Sequence, residues 1–325
     1  MQAGTVRRGG TVRPRDGAAG DKRPVREERM GQARQLRALL ARPEMIVAPG
    51  AYDGITATFI EQAGFPAVYM TGAGTAASLG YPDFGLVTMS EMAANAGTLA
   101  RAVGIPVIAD ADTGYGNELN VTRTVQDYEM RGVAGLHLED QVSPKRCGHL
   151  DGKEIVPRDE FVAKIRAAVA ARRNPDFVII ARTDSRAVAG FDEAVARANL
   201  ALAAGADMAF VEATQSLDEM RDVPRLVKGP CLLNVVRGGK TPDIDMPAAH
   251  AMGYRLAILP SLLFGAAMEA FDAALATLKE THAPPGSAGA PAIRERFRRL
   301  GADRWEDLRT RFRDPQDAPR THAAE

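Results

Sequence analysis

Carboxylates gather in two short strings of this chain: Asp110 and Asp112 in Asp110-Ala111-Asp112-Thr113-Gly114-Tyr115-Gly116, and Glu139 and Asp140 in His137-Leu138-Glu139-Asp140-Gln141. Brought to one place, the four would repel unless a cation sat among them. Hard oxygen ligands, with no paired His or Cys at zinc spacing, suit Mg²⁺, with Mn²⁺ able to replace it. Magnesium takes one or two carboxylates and keeps several waters, so some of the four should act through water. Any one Asp alone reads equally well as a helix cap; the clustering carries the argument. Just beyond lies Ser143-Pro144-Lys145-Arg146-Cys147-Gly148-His149-Leu150-Asp151-Gly152-Lys153, which sets a cysteine between two cations and a histidine. Positive neighbours lower a thiol's pKa and make it a usable proton donor or acceptor near neutrality. Zinc on Cys147 and His149 is the competing reading, but two further ligands are missing. A polar loop of this length suits a lid that excludes water.

These groups need a scaffold that brings them together. Apolar, β-rich runs recur at Met45–Ala48, Ala67–Thr71, Pro106–Asp110, Gly135–Glu139, Phe177–Arg182, Asp207–Glu212, Cys231–Val235 and Arg255–Leu259. Between them come stretches of helical periodicity, including Ser90–Val103, Asn120–Arg131, Asp159–Arg172 and Phe191–Ala203. Gly104, Gly132, Gly205 and Gly253 fall where helices end and a left-handed cap is wanted. Strands apolar throughout and alternating with helices indicate a covered parallel sheet. Eight such units predict an α/β fold, a closed (β/α)₈ barrel. No dinucleotide or Walker-type glycine fingerprint follows the first strand to favour an open sheet. Barrel enzymes build their sites from the C-terminal ends of strands. Here those ends carry Asp110, Glu139, Arg182, Glu212 and Asn234. Cys231, inside an apolar strand, reads as structural.

Outside the barrel, residues 1–28 hold five glycines, seven basic and four acidic residues and little that is large and apolar. Such a composition cannot offset ordering entropy, so a disordered leader is expected, with Met30 an alternative start. The barrel is assigned to residues 29–282 and a helical extension with a tail to 283–325. In that extension Ala292–Phe312 reads as one helix whose Phe297, Leu300, Trp305, Leu308 and Phe312 need a surface to cover, on the same barrel or on a second subunit. The 325 residues carry 41 basic and 41 acidic side chains, so no global field recruits nucleic acid or an anionic membrane. No apolar run approaches a membrane span, and two distant cysteines point to a reducing cytoplasm.

The strings Tyr69-Met70-Thr71-Gly72-Ala73-Gly74, Asp110 to Gly116, His137-Leu138-Glu139-Asp140-Gln141-Val142 and Lys145-Arg146-Cys147-Gly148-His149 resemble the isocitrate lyase/phosphoenolpyruvate mutase superfamily, from about Gln35 to Glu269. The nearest branch comprises its short members: 2-methylisocitrate lyase, dimethylmalate lyase, carboxyphosphonoenolpyruvate mutase and oxaloacetate decarboxylase. The resemblance implies that Asp110 and Asp112 hold Mg²⁺, Asp112 through water, with Glu139 in the surrounding shell. It implies that Thr71, Gly72 and Ala73 bind an oxo-acid carboxylate through backbone N–H groups and the hydroxyl, bordered by Asp110 and Gly148. Arg182 would grip the same carboxylate or the oxo group, and Glu212 and Asn234 the substrate's other end or a metal-bound water. Cys147 would protonate the leaving carbanion, with His149 helping to set its ionisation, and Tyr69 would lie near the reacting hydroxyl. Two departures stand out. Arg237 replaces the glutamate usual after Asn234, and Leu259-Pro260-Ser261-Leu262-Leu263-Phe264-Gly265 lacks the arginine with which methylisocitrate lyases bind an extra carboxylate. The implied activity is a Mg²⁺-dependent C–C lyase acting on a small carboxylate of the 2-methylisocitrate or dimethylmalate type. Oxaloacetate decarboxylase, the carboxyphosphonoenolpyruvate mutase and a non-catalytic oxo-acid-binding barrel are the alternatives. Short members associate, so a homotetramer sharing its last helix is expected.

Overall fold

Each apolar run forms one parallel strand: β1 (Ile46–Ala51), β2 (Val68–Met70), β3 (Val107–Asp110), β4 (Gly135–Glu139), β5 (Val178–Thr183), β6 (Met208–Val211), β7 (Cys231–Asn234) and β8 (Leu256–Leu259). Hydrogen bonds join them in chain order and close the barrel between β8 and β1. The structure is a computed structural model describing residues 31–286 and 292–313. Helix α1 (Gln32–Leu40) precedes β1, and α2 (Gly54–Gln62) follows it. After β2 come α3 (Gly72–Ser78) and α4 (Met89–Ala102); after β3, α5 (Glu118–Met130); after β4, α6 (Arg158–Ala171). Then α7 (Arg186–Ala189) and α8 (Phe191–Ala203) follow β5, α9 (Leu217–Leu226) follows β6, and α10 (Met246–Met252) follows β7. The chain continues through α11 (Leu262–Thr281), α12 (Ile293–Arg299) and α13 (Ala302–Arg313). Polar side chains start the outer helices: Asp53 and Thr56 form a capping box at α2, Thr88 and Glu91 another at α4.

Strand periodicity sorts the side chains into two layers. Ala109, Leu136, Leu138, Ile179 and Ala181 face outward into the core beneath α4, α5 and α6. Ile108, Val178, Ile180, Met208, Phe210, Leu232 and Ile258 point inward and fill the barrel, with Leu36 of α1 against them. Helix α1, which the hydrophobic pattern did not announce, is fastened to that end by Arg37, which donates to the carbonyls of Asp176 (3.1 Å) and Phe177 (3.2 Å). Because the lower part of the barrel is packed with these apolar groups, the polar inward positions gather toward the C-terminal ends of the strands.

Three local expectations change. Gly132, Gly205 and Gly253 take the left-handed conformation, but Gly104 does not; α4 ends in extended backbone at Val103, and the Gly104 amide donates to Glu61 instead. The stretch Ala292–Phe312 is two helices rather than one, broken at Gly301, whose φ of +86° no helix admits. Their apolar residues stay open to solvent in the single chain: Trp305 is 68% exposed, and α11 has no buried residue at all. One observed tie to the barrel is the Arg299 guanidinium, 3.6 Å above the Phe59 ring. Residues 1–28, expected to be a leader, lie outside the described residues. No described helix is long and apolar enough to cross a membrane.

Candidate active site

At the C-terminal mouth of the barrel lies a cavity of about 160 Å³, bordered by Tyr69, Thr71, Ala73, Asp110, Cys147, Gly148, His149, Arg182, Glu212 and Asn234. These residues come from six segments of the sequence and converge because each strand residue among them occupies an inward position. Asp112, Glu139 and Gly72 sit buried beside the cavity. Thus the structure brings together the residues expected from the sequence, with one instructive exception among the four carboxylates. Asp140 follows inward-facing Glu139, so the pleat turns it outward. There it accepts from Thr183 Oγ1 (2.6 Å), the Asp184 amide (2.8 Å) and Arg197 Nη1 (3.2 Å). Asp140 therefore ties β4 to β5 and α8 and takes no part in the site. Removing one partner of such a buried pair costs about 3–5 kcal/mol.

The remaining acids are deeply enclosed. Asp110 Oδ1 accepts from the Asp112 amide (2.9 Å), and Oδ2 from the Gly72 amide (3.2 Å) and Tyr69 hydroxyl (3.3 Å). Burial opposes ionisation of Asp110, but His137, Lys145 and Arg182 outweigh it and hold the carboxyl at about 2. His137 itself is pushed by burial to about 4, so at neutral pH Lys145 and Arg182 supply the positive charge. Burial instead carries Asp112 up to about 6, against the pull of Lys145, and Glu139 well above the usual carboxylate range, against that of Arg182. Asp112 adopts φ +45° in the turn that also places Gly114 at φ +81°, where a Cβ would strike Val121 at 2.4 Å.

Asp112 Oδ1 and both Glu139 oxygens are buried without a hydrogen-bond donor, apart from the ion-pair approaches of Lys145 Nζ to Asp112 (3.0 Å) and Arg182 Nε to Glu139 (3.2 Å). Bare buried carboxylate oxygens with raised pKa values mark a deficit of positive charge. Among the described residues no three or more His, Cys, Asp or Glu side chains form a ready-made coordination cage. An all-oxygen set with few direct protein ligands is what Mg²⁺ accepts, completing its shell with water, so these residues fit that ion.

Above the carboxylates lies the loop that carries Cys147. Its neck is pinched by the Gln141–Ile155 bridge, and the Gln141 amide group pairs with the Arg146 backbone at 2.8 and 3.0 Å. The two cations flanking the thiol turn away from it. Lys145 reaches Asp83 (2.5 Å) and Asp112, while Arg146 lies 5.8 Å over the Phe84 ring. The sequence expectation of a lowered thiol pKa is thereby overturned: burial pushes Cys147 up, and the strongest opposing influence is the main-chain N–H of His149, not its imidazole. Cys147 is a protonated thiol at neutral pH. The His149 ring serves elsewhere. Its Nδ1 accepts from the Lys240 amide (3.0 Å), and Nε2 stands 3.0 Å from Glu212 Oε1. That arrangement leaves no zinc geometry with Cys147. Glu212 also accepts from Asn234 Nδ2 at 3.2 Å, and Arg182 with His149 outweighs burial to lower its pKa.

Some members of the site were not singled out in the sequence. His137 stacks on Tyr69 and lies 2.8 Å from its hydroxyl; Asp83 and Lys145 border the cavity; Asp184 holds Arg182 at 2.8 and 3.1 Å. Alternation along β4 and β5 would have pointed inward to His137, two residues before Glu139, whereas Asp83 lies in a loop whose path no periodicity predicts. Thr71 and Gly72 are only partly available to a ligand, because the Thr71 amide donates to Ala51 and the Gly72 amide to Asp110. Arg237 is exposed and borders a separate cavity with Asp243, Asp245 and Glu269, so it supplies no charge to the site.

Fold and site together define a (β/α)₈-barrel enzyme built around buried carboxylates and an enclosed thiol. Residues 36–279 match the family described as phosphoenolpyruvate phosphomutase, and the chain belongs to the phosphoenolpyruvate mutase/isocitrate lyase superfamily. It is 51% identical over 233 residues to 2,3-dimethylmalate lyase of Eubacterium barkeri, covering 71% of this chain and 81% of that relative. Among solved structures, oxaloacetate acetylhydrolase with 3,3-difluorooxalacetate superposes with a TM-score of 0.83 at 40% identity, covering 86% of this chain and 96% of the other. Phosphonopyruvate hydrolase with oxalate and Mg²⁺ gives a TM-score of 0.80 at 31% identity, over 87% and 99% of the two chains.

Proposed function

We propose that the chain is a Mg²⁺-dependent carbon–carbon lyase that cleaves a substituted 2-hydroxydicarboxylate of the dimethylmalate type, or the tricarboxylate 2-methylisocitrate, releasing pyruvate or a related oxo acid. The observation that carries this reading is Cys147, a protonated thiol that borders the cavity from the side of the loop. Asp110 and Asp112 would hold the ion, with Glu139 beside them. When bound, Mg²⁺ supplies Lewis-acid polarisation of the oxo-acid oxygens. Arg182, fixed in orientation by Asp184, grips the oxo-acid carboxylate with its planar fork. The Tyr69 oxygen, set between His137 and Asp110, is placed to pass on the proton of the substrate hydroxyl. As the bond between C2 and C3 breaks, its electron pair goes to C3, and the Cys147 S–H delivers the proton that C3 needs. Glu212 and Asn234 line the same cavity and orient the second fragment. Similarity to 2,3-dimethylmalate lyase and the small cavity support a dicarboxylate over a larger substrate.

The small cavity also favours a second reading, oxaloacetate decarboxylase, in which the released CO₂ needs no proton. Cys147→Ser separates the two. With Mg²⁺ saturating, the serine hydroxyl is a far weaker acid, and cleavage of a substituted malate should fall by about 10²-fold or more. Retained turnover, with oxaloacetate the best substrate, selects the decarboxylase. The exposed stripes on α11, α12 and α13 support a homo-oligomer in which these helices cover one another's barrels.

A further inference from the structure

Lys153 has no role in the chemistry above, yet its side chain is only 1% exposed. Its ammonium donates to the carbonyl of Gly148 and, at 2.9 Å, to Asp184 Oδ1. Asp184 is the residue that holds Arg182 through two hydrogen bonds. Gly148 directly follows Cys147 and lies so close to the floor of the site that a Cβ there would meet Arg182 Nη2 at 2.5 Å. An ammonium enclosed this completely is unfavourable unless paired, and here Asp184 pairs it. What the charge adds is a fixed link between a loop carbonyl and a strand carboxylate. Other ties of the loop, Gln141 on Arg146, Lys145 on Asp83 and Asp112, and His149 on Lys240 and Glu212, do not reach Asp184. Beside the thiol, the Cys147 amide donates to the Asp83 carbonyl at 3.2 Å, and Lys153 secures the Gly148–His149 peptide.

We propose that Lys153 is a positioning residue, which pins the Gly148 carbonyl to Asp184 and so holds the Cys147 thiol over the cavity in register with Arg182. Arg182, Asp184, Lys153 and Gly148 form one continuous chain of contacts. The group that grips the oxo acid and the group that delivers the proton are therefore fixed to a common carboxylate. This inference rests on the reading of Cys147 as proton donor, and its test keeps the two apart by measuring loop position directly. In the full chain, Lys153→Met is compared with the unmodified protein by three measurements. These are the alkylation rate of Cys147 with iodoacetamide, followed by mass spectrometry; kcat and KM for the substituted malate turned over best, at saturating Mg²⁺; and inhibition by oxalate.

Loss of a charge-assisted hydrogen bond from the closed loop should speed Cys147 alkylation by about tenfold or more. It should lower kcat by a similar factor and leave oxalate inhibition unchanged. Faster alkylation with unaltered kcat would keep the pin and remove Cys147 as the acid. An unchanged alkylation rate in a folded variant overturns the proposal. So does a joint loss of kcat and oxalate inhibition, which marks Lys153 as merely structural. If Lys153→Met does not fold, Lys153→Gln, an uncharged donor of shorter reach, is put through the same measurements with the same two outcomes.

Discussion

Replacing Gly148 with alanine is the sharpest steric test of how the loop sits on the site. The added Cβ would lie 2.5 Å from Arg182 Nη2 and 2.6 Å from both Cγ and Oε1 of Glu212. Carbon contacts settle near 3.5–4.0 Å, so one side must retreat by roughly 1 Å. Arg182 cannot do so freely, because Asp184 holds it twice and Glu139 flanks it; Glu212 is bound by Asn234 and faces His149. The loop is the softer partner and should lift, carrying Cys147 with it. A misplacement of about 1 Å at a reacting group costs about 10²-fold in turnover. The strain itself should lower stability by only about 1–3 kcal/mol, as overpacking does. Steady-state cleavage of 2,3-dimethylmalate at saturating Mg²⁺, paired with thermal unfolding, reads both numbers. If Gly148→Ala keeps kcat/KM within a few-fold while remaining folded, the loop does not bear on Arg182 and Glu212 as described, and the reasoning fails.

The thiol's raised pKa has a direct signature. Alkylation of Cys147 should be slow at pH 7 and accelerate through and beyond the ordinary thiol range, whereas a rate already at its plateau by pH 7 would show that the flanking cations do lower it. Asp110→Ala should abolish both activity and Mg²⁺ binding while the barrel stays folded; calorimetry showing unaltered Mg²⁺ affinity would remove Asp110 from the metal site. The covered-helix reading of α11 to α13 expects a homotetramer by light scattering, and a particle of 34.7 kDa, the mass of one chain, would defeat it.

The barrel was legible because its signal is redundant. Eight apolar runs at regular spacing leave little freedom, and the ends of strands mattered less than their number. The site was legible to the extent that chemistry coincides with inward strand positions. Tyr69, Glu139, Arg182, Glu212 and Asn234 satisfy that condition. Asp140 does not, although it belongs to the same string as Glu139, because composition alone ignores the pleat. The thiol was misjudged for a related reason: Lys145 and Arg146 are adjacent to Cys147 in sequence, but their long side chains reach other partners, and charge acts through space. Helix α1 was missed because much of it is polar and charged, and only Leu36 and Ala33 are buried. The break at Gly301 needed a backbone angle that one glycine permits but does not demand.

The back-to-back arrangement of Glu139 and Asp140 has a consequence for how such a scaffold can change. Reactive groups make poor supports, since whatever suits a substrate is seldom what suits a fold. On β4 the two duties fall to neighbouring residues facing opposite ways. Asp140 fastens the strand to its surroundings without reference to any ligand, so the inner acid can be exchanged, moved or lost while the wall stands. A rim carried on independently braced strands is free to accumulate new inward side chains one at a time, each tried against a new substrate without risking collapse.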